Sequence, residues 1–127
     1  MAALTFPIHI PFVEQLGFEL LSMGGGEAEL AVDLTEAHLN SWSVAHGGVV
    51  MTLLDVAMAH AARSLGKPED NFGPGVVTIE MKTSFMRPGE GRLRCVGKRN
   101  AALFVMMMCC HADLCRLCWS AGQFVAL

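Results

Sequence analysis

Hydrophobic and polar positions change period along the chain, and each change marks an element. Pro11 can open a short helix over residues 12–16, because its ring presets φ for a first helical turn, and Gly17 closes it. Residues 18–23 read as a strand, and Gly24, Gly25 and Gly26 supply a turn through positive φ. Residues 27–34 then alternate, with Ala28, Leu30, Val32 and Leu34 on one face and Glu27, Glu29 and Asp33 on the other, so the two strands make a hairpin. Residues 35–45 are polar and loop-like. From 46 to 65 the period becomes helical: Val50, Leu53, Leu54, Ala57, Met58 and Ala61 follow the three-four spacing of one apolar face, and Gly66 stops it. Residues 67–75, with Pro68, Gly73 and Pro74, form a loop. In the next strand Val77, Ile79, Met81 and Phe85 share one parity, and Thr78, Glu80, Lys82 and Ser84 the other. Residues 92–98 alternate around Leu93 and Cys95, residues 101–110 are a continuous apolar run suited to burial on both faces, and residues 117–126 make a last strand. This order predicts one α+β domain over residues 1–127, a single antiparallel sheet wrapped around one long helix.

Composition adds a partner to that picture. Hydrophobic residues are 53% and charged residues 17%, too apolar for disorder and more apolar surface than 127 residues hide alone, so subunit contacts are expected. No run reaches the length of a membrane span. Residues 1–13 carry no Lys or Arg and hold two prolines, unlike the charged start of a signal peptide, so a cytoplasmic location is expected. The net charge of −3 gives no basis for a nucleic-acid partner. Within residues 82–99, however, Lys82, Arg87, Arg92, Arg94, Lys98 and Arg99 face only Glu90. That strip is either the solvent face of a sheet or a contact for a phosphorylated ligand.

Five cysteines, an odd number crowded into the second half, argue against a disulfide framework. Cys115 and Cys118 have half of a zinc spacing, with Cys109, Cys110 and His111 nearby. Neighbouring strand residues point to opposite faces, so buried free thiols are expected and no metal site. Met106, Met107 and Met108 likewise read as filler for core and interface.

The chemistry concentrates at the helix. Between Glu36 and Lys67 the formal charges are Asp55 and Arg63 alone. Arg63 lies near the C-terminal end, where the helix dipole favours a cation. Asp55 lies in mid-helix among Leu53, Leu54, Val56 and Ala57, on a face shared with Gly48, Thr52, Ala59 and Ala62. Aspartate is poor in mid-helix and costly to bury, so it is either a functional carboxylate or a solvent-facing one. His46, Gly47 and Gly48 open the helix, where backbone N–H groups lack internal partners and a carbonyl oxygen can approach a glycine closely. The plainer alternative is a tight turn. Asn40, six residues before His46, can orient a water or a carbonyl, or simply serve the turn.

Taken together, Asn40, His46-Gly47-Gly48, Asp55, the segment Val77-Thr78-Ile79-Glu80-Met81-Lys82 and the segment Phe85-Met86-Arg87-Pro88-Gly89 resemble the hotdog-fold thioesterase superfamily, most closely its phenylacetic acid degradation type. The resemblance runs from about Phe12 to Phe124. It implies a sheet curled around the central helix, a dimer or a dimer of dimers, and active sites shared across the dimer interface. It implies an acyl-CoA substrate, with CoA part of that substrate and no cofactor. One subunit would give Asn40 and Gly47 and the other Asp55, as nucleophile or as general base on water. The Gly47 N–H would polarise the thioester carbonyl, Asn40 would hold water or thioester, His46 would shape the loop, and Thr78 would help position water. Gly48, Arg87, Lys98 and Arg99 would contact CoA. Residues 97–102 and 111–115 depart from the family pattern in the length and chemistry of their turns. A hotdog hydratase or dehydratase, and a non-catalytic acyl-CoA binder, are the competing readings.

Overall fold

The computed structural model describes residues 2–73, 75–99, 104–111 and 116–126, the last two segments by backbone course and register. A short helix α1, Pro11–Leu16, leads into strands β1, Glu19–Gly24, and β2, Glu27–Asp33. The long helix α2, Gly47–Arg63, follows, and then β3, Val76–Phe85, β4, Arg92–Arg99, β5, Phe104–His111, and β6, Arg116–Ala126. All six strands join one antiparallel sheet in the order β1-β2-β4-β5-β6-β3, with α2 packed on it. The α+β architecture expected from the pattern is the one found.

Local chemistry explains most boundaries. Gly17 ends α1 at φ 71°. Gly25 and Gly26, at φ 60° and 86°, make the hairpin turn between β1 and β2, a conformation that residues with a Cβ rarely adopt. The predicted apolar face of α2 is buried throughout: Val50, Leu53, Leu54, Ala57, Met58 and Ala61 meet Leu20, Leu30, Val32, Leu93 and Cys95. Burial of each large side chain in that set stabilises the fold by roughly 1.5–3 kcal/mol. β4 packs close against the helix at Gly97, where a Cβ would lie 2.5 Å from the Ala57 carbonyl oxygen.

Strand β3 corrects the parity read from the sequence. Its register against β6 shifts between Thr78 and Glu80. That bulge returns Thr78 to the helix side, the side on which Met81 packs against the core and Phe85 reaches Gly47. Val77 and Ile79 are exposed, at 42% and 63%, and so is Phe85, whereas Met81 is partly buried against the core.

The basic strip is largely absorbed by cross-strand pairs. Arg92 binds Glu19 and Asp33, at 2.5 and 2.7 Å, Arg94 binds Glu29, and Lys98 lies 3.1 Å from Glu27. Exposed pairs of this kind each contribute about 0.2–1 kcal/mol. Cys95 is a buried free thiol, as expected. The thiol and zinc readings for Cys109, Cys110, His111, Cys115 and Cys118, and the filler role of Met106, Met107 and Met108, lie outside the described residues and side chains. Among the described residues no helix is long and apolar enough to cross a membrane.

Candidate active site

The start of α2 is built by its own cap. His46 adopts an extended conformation, and its Nδ1 accepts the Gly48 N–H at 2.9 Å. The Val49 and Val50 N–H groups bind the His46 carbonyl at 3.0 and 3.2 Å. Gly47 is left with an N–H that finds no partner among the described residues. Of the two glycines, therefore, Gly47 keeps a donor for a ligand and Gly48 spends its own on the cap. The Phe85 ring lies against Gly47, 3.7 Å from where a Cβ would stand.

Asn40 sits at the rim of the same place. Its Oδ1 accepts from the N–H groups of Trp42, at 2.9 Å, and Val44, at 3.4 Å. Its N–H donates to the Val44 carbonyl at 2.8 Å. The turn chemistry is thus real, yet the amide nitrogen of the side chain is left without a partner among the described residues. Asn40 and Gly47 line a cleft of about 360 Å³ together with Val44, Ala45, Val50 and the segment from Phe85 to Gly89. The cleft is lined by Asn40, the Gly47 backbone and Arg87 among mostly apolar walls.

Asp55 is elsewhere. It lies eight residues along α2 from Gly47, about 12 Å at 1.5 Å per residue. It is half-buried, and its Oδ1 accepts the Thr78 hydroxyl at 2.5 Å. Oδ2 has no partner among the described residues. The structure brings together Asp55 and Thr78 on one side, and Asn40, Gly47 and Arg87 on the other. It does not join the two groups within one chain. Lys98 and Arg99 stand apart from both, since the Arg99 Nη1 donates to the Ala62 carbonyl at 3.2 Å, near the far end of α2.

Sequence reasoning left out Phe85, Met86 and Gly89 as cleft walls, although the run from Phe85 to Gly89 carried part of the family resemblance. Their signal was available: a Pro-Gly pair after an apolar strand end re-aims the chain, here across the start of α2. The Ala45 N–H binds the Gly89 carbonyl at 2.8 Å.

Comparison with known proteins points the same way. Residues 43–98 match the Thioesterase superfamily. The medium/long-chain acyl-CoA thioesterase YigI of Salmonella typhimurium is 31% identical over 97 residues, 68% of this chain and 63% of that protein, so the match spans just under two thirds of the relative. A conserved protein of Pseudomonas aeruginosa superposes with a TM-score of 0.84 at 26% identity, covering 95% of this chain and 97% of that one. The PaaI protein of the Escherichia coli phenylacetic acid degradation operon superposes with a TM-score of 0.78 at 21% identity, covering 91% and 83%, a likeness of fold.

Proposed function

We propose, from the match of residues 43–98 to the Thioesterase superfamily and the fold shared with solved structures, that the chain is a thioesterase of the hotdog fold and hydrolyses the thioester of an acyl-CoA at a site shared between two protomers. One observation carries this reading: the carboxylate and the carbonyl-binding donors are well formed but lie on separate parts of one chain. Thr78 fixes Oδ1 of Asp55 and leaves Oδ2 available. Gly47 and Asn40 line one cleft, and no carboxylate lines it among the described residues. A second copy supplying Asp55 opposite that cleft completes both sites by symmetry.

In the proposed reaction the thioester carbonyl accepts hydrogen bonds from Gly47 and Asn40, which favour the oxyanion that forms on attack. Asp55 either removes a proton from the attacking water or attacks directly, giving an anhydride that water then opens. Collapse of the tetrahedral intermediate breaks the carbon–sulfur bond, and the CoA thiolate leaves and takes up a proton. The products are a free acid and CoA, and no cofactor is required. Arg87 at the cleft edge is placed to meet a CoA phosphate by a charge-assisted bond.

Complementation tests the shared site. Asp55→Ala and Asn40→Ala homo-oligomers should each lose about 100-fold or more in kcat, measured by thiol release from a panel of acyl-CoA substrates. Co-expressed heterodimers of the two variants contain one intact site, and should recover roughly a quarter to a half of parental turnover. No recovery would place the whole site within one chain. A change in enoyl absorbance without free thiol would replace hydrolysis by hydration.

A further inference from the structure

The loop between β2 and α2 carries Asn40 and delivers Gly47, and its course depends on one imidazole. His38 is 6% exposed. Its Nδ1 accepts the Thr35 backbone N–H at 2.9 Å and lies 3.1 Å from the Thr35 hydroxyl. A backbone N–H can only donate, so Nδ1 carries no proton and Nε2 does. Nε2–H then donates to the Leu16 carbonyl, at the C-terminal end of α1, at 2.8 Å. The carbonyl of His38 accepts the His46 N–H at 2.8 Å, one residue ahead of Gly47. A bridge between Leu39 and Ala45 closes the neck of the loop, and Asn40 stands just beyond it.

His38 therefore holds three things in register: its ring ties the end of α1 to the turn that starts the loop, and its backbone carbonyl ties that turn to His46, the N-cap of α2. Both ring nitrogens are committed inside the chain, so His38 has no donor or acceptor for a substrate. The loop has no other side chain with such reach. The hydrogen bonds of Asn40 all fall within residues 40–44, and the side-chain bond of His46 goes to Gly48.

We infer that His38 is a positioning residue for the carbonyl-binding donors, setting the separation of the Asn40 amide from the Gly47 N–H. This rests on the thioesterase reading above. Misplacing two such donors by about 1 Å weakens stabilisation of the transition state far more than binding of the ground state, and can cost about 100-fold in rate.

The test uses three variants, with kcat and KM measured by thiol release and scaled to folded protein by circular dichroism. His38→Ala should lower kcat about 10- to 100-fold while KM stays within about 3-fold. Asn places an oxygen where Nδ1 stands, so His38→Asn keeps the acceptor for Thr35 and should stay within about 3-fold of the parental kcat. Gln reaches Leu16 but loses that acceptor, so His38→Gln should resemble the alanine variant. Parental kcat and KM in His38→Ala, with only a lower Tm, would make His38 structural and overturn the inference. Equal kcat in the Asn and Gln variants would overturn it too, and that contrast decides if the alanine variant does not fold. A parent that releases no thiol from any acyl-CoA removes the thioesterase reading instead. His38 is then judged by amide exchange at His46 and Gly47, where 10-fold faster exchange in the Gln than in the Asn variant supports it and equal exchange refutes it.

Discussion

His60 shows how a single residue ties this fold to pH. It is 2% exposed on α2, its ring meets the edge of Phe6 at 5.2 Å, and its Nδ1 lies 2.7 Å from the Val56 carbonyl. That bond assigns the proton to Nδ1, and Nε2 is buried without a partner among the described residues. Burial lowers the pKa of the imidazole, with Arg63 one turn away acting in the same direction and the Val56 bond opposing both. The unfolded chain therefore takes up a proton near pH 6.5 that the folded chain refuses. Stability from His60 is present above that pH and is lost as pH falls through the lowered value. The midpoint of urea unfolding should drop between pH 7.5 and pH 5.5, and the drop should be smaller in His60→Leu, which has nothing to protonate. Equal drops in parent and variant would show that other groups carry the acid sensitivity. The same residue marks a boundary of sequence reading. His60 is one of five histidines, and nothing in its neighbours separates a buried neutral ring from a solvent-facing one until the N-terminal segment is seen to bring Phe6 onto it.

At the scale of elements, the clearest case is the approach of α2 to β4. The helix face of Ala57 and Ala61 comes so near the sheet that Gly97 has no room for a side chain, with the Ala57 carbonyl oxygen 2.5 Å and the Ala61 methyl 3.1 Å from a Cβ. Gly97→Ala should destabilise the protein by about 1–3 kcal/mol, seen as a Tm several degrees lower, because backbone rather than a mobile side chain must give way. Gly24→Ala, with open space around it, is the control and should change Tm little. Small residues at 57 and 61 were legible as an apolar stripe, and so was the helix they belong to, since its period persists from Val50 to Ala61, about three turns. The hairpin was legible from three consecutive glycines. The bulge in β3 was not. Val77, Thr78, Ile79 and Glu80 alternate as a regular strand would, and the extra residue appears only in the pairing with β6. That bulge turns Thr78 towards Asp55, so the partner of the candidate carboxylate came from the family resemblance, and strand parity alone would have pointed it the other way. The cleft was legible in half. Asn40 and Gly47 carry chemistry that stands out in a sequence, whereas Phe85, Met86 and Gly89 contribute shape, which depends on where the chain turns after β3.

The whole molecule has two sheet edges, and they are treated differently. Beside β1, Leu4 pairs with Leu20 and covers part of that edge with the N-terminal segment. β3 ends the sheet on the other side over ten residues, with Val77, Ile79 and Phe85 exposed at 42%, 63% and 53%. Glu80 and Lys82 are exposed on this edge as well, yet its length and its exposed Val77 and Ile79 suit pairing with another strand, and in a chain that is 53% hydrophobic the economical partner is a second copy. In the shared-site proposal, pairing there would bring the Thr78–Asp55 unit of each protomer towards the cleft of its neighbour, whose described lining holds no carboxylate. On that proposal assembly and turnover stand or fall together. Replacing Val77 and Ile79 together by Lys sets like charges against each other across a two-fold axis while leaving Asp55, Thr78, Asn40 and Gly47 in place. The parent should sediment as a dimer or a dimer of dimers and the double variant as a monomer, with parental helix content. Turnover should fall about 100-fold or more with assembly, and should return in part when high protein concentration drives the variant back together. A monomeric variant with parental turnover would break the link between edge and site, and Asp55 would then have to reach a thioester within its own chain, about 12 Å along the helix from the nearest oxyanion donor.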